Sequence, residues 1–156
     1  VGTIIGIDPG LSGACAVLED GVWVEFFDTP VFKVGSKKEY NVNEMAKFLS
    51  SHLTATIFIE KQLPIPRQSS QSTFKTGHGF GLWIGIIVSL NLPYTIVHPR
   101  TWKKKMLKDM AKEKDASRSR AIQLFPGASD HLNLKKHHDR AEALLLAEYG
   151  RICRRL

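Results

Sequence analysis

Thr3-Ile4-Ile5-Gly6-Ile7-Asp8-Pro9-Gly10-Leu11-Ser12-Gly13 decides how the rest of the chain is read. Ile4, Ile5 and Ile7 make a short β-branched apolar run, the pattern of a strand buried on both faces. The run stops at Asp8, where Pro9-Gly10 breaks it. An Asp before Pro-Gly is also a common way to start a turn. A carboxylate at the mouth of a buried strand is costly, however, unless a positive group or a metal compensates it. The question is therefore whether other acids fall beside it.

At 156 residues the chain has the size of one domain, residues 1–156, with enough surface to bury a sizeable core. Its hydrophobic fraction of 43% is ordinary for a globular protein. No apolar run approaches the roughly 20 residues of a membrane span, so no membrane partner is expected. The first residues read as a strand and not as a leader. Cys15 and Cys153 lie far apart, which gives neither a disulfide framework nor a metal-binding spacing and fits a reducing compartment. The expected location is therefore the cytoplasm, or an organelle if a targeting segment has been removed.

The net charge of +7 is unevenly spread. Arg100, Lys103, Lys104, Lys105, Lys108, Lys112, Lys114, Arg118 and Arg120 face only Asp109, Glu113 and Asp115, and Arg151, Arg154 and Arg155 follow near the end. A generally basic solvated surface would share this composition, but clustering of this kind favours a polyanionic partner.

Taken in order, Ala14 to Leu18 forms a second strand, Asp20-Gly21 a hairpin turn, and Val22 to Phe27 a third strand. Thr29 to Tyr40 reads as a loop. Val42, Met45, Leu49 and Leu53 recur at helical spacing behind a cap at Asn41 or Asn43. Thr56-Ile57-Phe58-Ile59-Glu60 repeats the first strand's pattern, again ending in a carboxylate. Lys61 to Lys75 reads as a mobile loop. Gly77-His78-Gly79-Phe80-Gly81 lacks the ending of a phosphate-cradling loop, so close backbone packing is the better account. A second helix, apolar nearly all round, follows through about Leu90. Tyr94 to Val97 is the fifth strand, Pro99 to Met106 and Ser117 to Phe125 are helices, and the last helix spans Lys136 to Arg151. The sum is an α/β fold with a mixed five-stranded sheet, three antiparallel strands then parallel ones, and helices on both faces.

If the fourth strand pairs parallel to the first, Asp8 and Glu60 emerge together about 4.8 Å apart. The last helix adds Asp139 and Glu142, spaced i, i+3, with His138 placed i, i+4 from Glu142. Acids near a helix start often only complement the helix dipole. Four acids without cysteine are also the donor set for hard cations, Mg²⁺ or Mn²⁺. Two such ions can stabilise the attacking and leaving oxygens in phosphodiester cleavage.

Ile7 to Gly13, Ile59-Glu60-Lys61-Gln62, Pro99-Arg100-Thr101-Trp102-Lys103 and His138 to Ala147 together resemble the RuvC-type Holliday junction resolvases, most closely the phage and chloroplast branch. The likeness runs in order along essentially the whole chain. It implies a ribonuclease-H-like fold, a homodimer, and a Mg²⁺-dependent endodeoxyribonuclease of DNA recombination and repair. Such an enzyme cuts four-way junctions by paired symmetric nicks, with two ions (Mg²⁺, or Mn²⁺ in substitution) per centre. Asp8, Glu60 and Glu142 fall on three metal positions. Asp139 matches the fourth by spacing, and His138, one residue earlier, is a competitor for it or a general base.

By the same resemblance Lys103 lies near the scissile phosphate, and Lys61, Gln62, Arg67, Phe74 and Lys75 near the junction centre, where Phe74 can stack on an unpaired base or serve the core. Arg100, Lys104, Lys105, Lys114 and Arg118 are expected on the DNA backbone. The helix around Leu82 to Leu90 can serve as a dimer face or as plain core. Two other readings remain at this stage. A sugar-kinase or actin-like protein shares the Gly-Ile-Asp-x-Gly turn but needs a second comparable domain. A non-catalytic module for structured nucleic acid would keep the fold and the basic surface without the metals.

Overall fold

The computed structural model describes residues 2–154, so Arg155 lies outside the described residues. The main sheet has five strands, β1 (Thr3–Asp8), β2 (Ala14–Glu19), β3 (Val22–Asp28), and two further strands after a helix. A two-stranded ribbon, β4 (Val31–Val34) with β5 (Lys37–Tyr40), occupies the segment expected to be a loop. Its Lys-rich sequence hid the alternation, and Gly35, with φ of +64°, closes its turn. Helix α1 (Val42–Ser50) starts on Asn41, whose side chain accepts the Glu44 N–H at 3.2 Å. It ends before Leu53, which is exposed.

Strand β6 (Thr56–Glu60) and strand β7 (Tyr94–Val97) flank helix α2 (Ser70–Ser89). The glycine-rich stretch and the last residues of the expected mobile loop are therefore helical, started by a Ser69 cap on the Ser72 N–H. Only one face of α2 is buried, through Gly79, Trp83, Ile86 and Ile87, which corrects the expectation of burial all round. A side chain at Gly79 would collide with the Tyr40 ring, so this glycine does serve close packing. Helices α3 (Pro99–Met106), α4 (Ala116–Leu124) and α5 (His138–Cys153) complete the chain, the last preceded by short 3₁₀ turns.

The sheet order is β3-β2-β1-β6-β7, with β1 antiparallel to β2 and parallel to β6. Side chains alternate between two cores. Ile5, Ile7, Cys15, Val17, Ile57 and Ile59 pack toward α1 and α2. Ile4, Ala16, Leu18 and Phe58 pack toward α3, α4 and α5. Helix α5 lies directly on β1, because a Cβ on Gly6 would collide with the Ala143 carbonyl and sit 2.7 Å from the Ala147 nitrogen. At the other end, a side chain on Gly150 would collide with the Phe58 ring. Two small contact points thus press the last helix onto the central strands.

Candidate metal centre and nucleic-acid surface

Register decides where the acids go. Ile7 pairs with Ile59, so the next residues, Asp8 and Glu60, leave parallel neighbouring strands at the same end. Strand side chains alternate, and Asp8 and Glu60 share parity with Gly6 and Phe58. Both therefore point toward α5. That helix begins at His138, two residues later than the sequence pattern predicts, and its first turn brings His138, Asp139 and Glu142 to the strand ends. One ligand atom from each of these three lies within 4.8 Å of the other two.

Asp8, Glu60 and Glu142 are buried, at 8%, 9% and 7% exposure. Burial first, then the charges of Asp139, Glu142 and Glu60, drives the Asp8 carboxyl well above its ordinary range. Asp8 and Asp139 share a hydrogen bond, and burial also raises Asp139. Burial raises Glu60 as well, opposed by a 2.7 Å hydrogen bond from Trp102 Nε1 to Oε2 and, more weakly, by Gln62. Glu142 behaves differently. Burial would raise it, but His138 and Lys103 overcome this and hold it below the usual value. Lys103 Nζ lies 2.9 Å and His138 Nε2 3.2 Å from Glu142 Oε1, and Ser117 Oγ donates to the same oxygen at 3.3 Å. The bond to Glu142 also raises the pKa of His138.

Six residues singled out in the sequence, Asp8, Glu60, Lys103, His138, Asp139 and Glu142, thus converge from four elements. The donor set is oxygen with one imidazole, and Cys15, the buried thiol, lies in the opposite core. These residues fit a hard divalent cation.

The basic residues divide. Lys114 and Lys135 line a cavity of about 320 Å³ that His138 borders. Phe74 (73% exposed) and Lys75 line another, of about 270 Å³, with Leu11, Lys38, Glu39, Tyr40 and His78. Leu11 belongs to the turn that follows Asp8, which places this second cavity at the same end of the sheet. Lys61, Arg67, Arg100 and Lys104 are exposed. Arg118 is not free: it pairs with Asp115 at 2.9 Å and donates to the Leu132 carbonyl at 3.1 Å. Lys105 turns to Cys153 Sγ, 3.7 Å away, and to the Tyr149 ring. Gln62 leans on Glu60. Sequence reasoning missed the roles of Trp102 and Ser117. A Trp in an otherwise basic helix was the available signal, since a buried indole N–H must find an acceptor.

Fold and site together define a ribonuclease-H-like α/β chain with an acidic centre at the ends of its central strands. Its architecture is that of RuvC. The structure of T. thermophilus RuvC in complex with Holliday junction substrate is similar, with a TM-score of 0.68 at 17% identity, covering 99% of this chain and 96% of that one. A second Thermus thermophilus RuvC structure gives 0.66 at 16% identity, covering 98% and 95%. The yeast mitochondrial Holliday junction resolvase Ydc2 gives 0.51 at 13%, covering 94% and 77%. In sequence the chain is similar to the chloroplastic Holliday junction resolvase MOC1 of Chlamydomonas reinhardtii, 32% identical over 93 residues, which is 60% of this chain and 10% of that protein. The chain thus spans about a tenth of the length of that relative. A scan of protein-family models finds no match.

Proposed function

We propose that this chain is a structure-specific endonuclease that resolves four-way DNA junctions by divalent-metal-dependent phosphodiester hydrolysis. The observation that carries this reading is the meeting of Asp8, Glu60, Asp139 and Glu142 at one end of a RuvC-type sheet, with Lys103 on Glu142 and with Lys114 and Lys135 lining the cavity that His138 borders. Asp8 and Glu60 hold the ions, with Glu142 and either Asp139 or His138 completing the set. Mg²⁺ or Mn²⁺, two per centre, supplies charge stabilisation at the attacking and leaving oxygens. Lys103, already inside the acidic cleft, orients the scissile phosphate. Where Asp139 completes the set, His138 is instead the group that handles a proton, and its bond to Glu142, which raises its pKa, favours the imidazolium.

Lys61, Arg67, Phe74, Lys75, Arg100, Lys104 and Lys114 form the DNA path around this cleft, and the ribbon adds Lys33, Lys37 and Lys38. A homodimer would deliver the paired nicks. Its support is α2, where Gly77, Gly81 and Gly85 have open space beyond them and Val88 is 52% exposed. Residues 1–156 act as one nuclease unit in this reading. The chloroplast relative favours an organelle, and the RuvC likeness a bacterial or phage setting; among the described residues no helix is long and apolar enough to cross a membrane. The test is incubation with labelled four-way junction, duplex and RNA–DNA hybrid, with and without Mg²⁺. Symmetric nicking of the junction alone is expected. Metal-independent binding without nicking would favour the non-catalytic module.

A further inference from the structure

Helix α3 carries two consecutive residues that grip two different acids of the centre. Trp102 donates its indole N–H to Glu60 Oε2 at 2.7 Å, and Lys103 reaches Glu142 Oε1 at 2.9 Å. The first grip is the more rigid. Trp102 has no exposed surface and packs in the core beneath α5. The start of α3 is set by Pro99 and by His98 Nδ1, which accepts the Arg100 N–H at 3.1 Å. Lys103 Nζ lies 5.2 Å from the centroid of the Trp102 ring. The buried indole therefore takes one lone pair of Glu60 Oε2 in a direct hydrogen bond while Gln62 makes a weaker contact with the same carboxylate, so Oε1 is the oxygen more open to a ligand.

A carboxylate offering one oxygen suits a small ion with six ligands near ideal octahedral angles. Ca²⁺ is larger, takes six to eight oxygens and readily accepts carboxylates through both. Outer contacts of this kind tune a metal site by about 10–100-fold in affinity. We propose that Trp102 is a positioning residue that makes Glu60 a one-oxygen ligand and so sets the centre's preference for Mg²⁺ or Mn²⁺ over Ca²⁺. This rests on the metal-centre reading given under Proposed function. It adds to that reading an assignment of ion selectivity to a side chain that touches neither ion nor DNA.

The experiment compares the unsubstituted chain with Trp102→Phe and with Trp102 replaced by β-(3-benzothienyl)alanine, which keeps the bicyclic shape but has no N–H. Calorimetric titration with Mn²⁺ and with Ca²⁺, without DNA, gives the ratio of the two affinities. Junction affinity in EDTA and the split between kcat and KM are measured alongside. Both variants should lose about tenfold or more of the Mn²⁺-over-Ca²⁺ ratio. Their kcat should fall, with junction affinity and KM unchanged. If the benzothienyl variant keeps the ratio, ring shape and not the hydrogen bond sets selectivity, and the proposal is overturned. If both variants keep it while the unsubstituted chain binds Mn²⁺, Trp102 plays no part and the proposal alone falls. If the unsubstituted chain binds neither ion, the metal-centre reading falls, and this proposal falls with it.

Discussion

Glu142 and Glu148 lie on the same helix, both 7% exposed, and differ in what surrounds them. Glu148 is satisfied locally: Arg151, one turn on, grips both of its oxygens at 2.6 Å. Glu142 takes its partners from α3, α4 and its own first turn, and all of them converge on Oε1. Its neighbours Asp8 and Glu60 have no salt-bridge cation among the described residues. Equal burial thus conceals two kinds of acid. One is closed by a partner three residues away and serves stability. The others are held together from remote parts of the chain at a cost in repulsion, which protonation relieves in the metal-free chain and which a bound cation would relieve under the proposed function.

The comparison breaks most sharply if the wrong acids matter for cleavage. Asp8→Asn and Glu60→Gln should each reduce junction cleavage by about a thousandfold or more, the scale of removing a preorganised electrostatic group. Junction binding in EDTA should be retained, measured by gel shift beside a nicking assay. Glu142→Gln should do the same, whereas Glu148→Gln should leave the cleavage rate unchanged. Glu148→Gln should instead lower unfolding free energy by about 1–3 kcal/mol, read from urea denaturation. Loss of cleavage in Glu148→Gln with stability intact would reverse the assignment of the two residues.

Packing supplies the next test. Gly6→Ala places a methyl against the Ala143 carbonyl and should cost about 1–3 kcal/mol as α5 is pushed off β1. Cleavage should fall more than junction binding, because the displaced helix carries Asp139 and Glu142. Unfolding curves and nicking rates on the same preparation check both effects.

Titration sharpens the contrast further. Asp8, Glu60 and Asp139 have raised folded-state values, so their contribution is fully present below the unfolded carboxylate range, about pH 4, and is lost as pH rises through the raised values. The metal-free protein should therefore lose thermal stability as pH rises above about 4 through the raised values, and saturating Mn²⁺ should reduce that loss. Asp28 has the opposite sign. Arg140 grips both of its oxygens, at 2.8 and 2.7 Å, and lowers its value. Its contribution is present above about pH 4 and disappears as pH falls through the lowered value. Arg140→Gln should remove that acid-side loss and leave the loss on raising pH above about 4 in place. The smallest effect expected is on DNA affinity: Lys104→Ala should reduce the salt slope of junction binding by about one unit.

The legible parts of the site were the acids at the ends of apolar runs, because strand termini and helix spacing are local properties. Asp8 and Glu60 could be placed side by side once a parallel pairing was assumed. The ribbon from Val31 to Tyr40 was not legible, since Lys33, Lys37 and Lys38 mask its alternation and its pairing is made only across the turn. The bond from Arg118 to the Leu132 carbonyl was not legible either, since it spans 14 residues and has no sequence signature.

What the sequence determined by itself is the set of buried strands, their punctuation by Pro and Gly, and the kinds of donor atom on offer. Periodicity and turn chemistry act over a few residues and can be read directly. Only the tertiary structure decided which oxygen of each acid is engaged and which cation is spent on an ion pair. It also decided that a tryptophan 42 residues away holds Glu60. Those outcomes depend on strand register and on how closely α5 and α3 approach the sheet, and packing over the whole chain sets both.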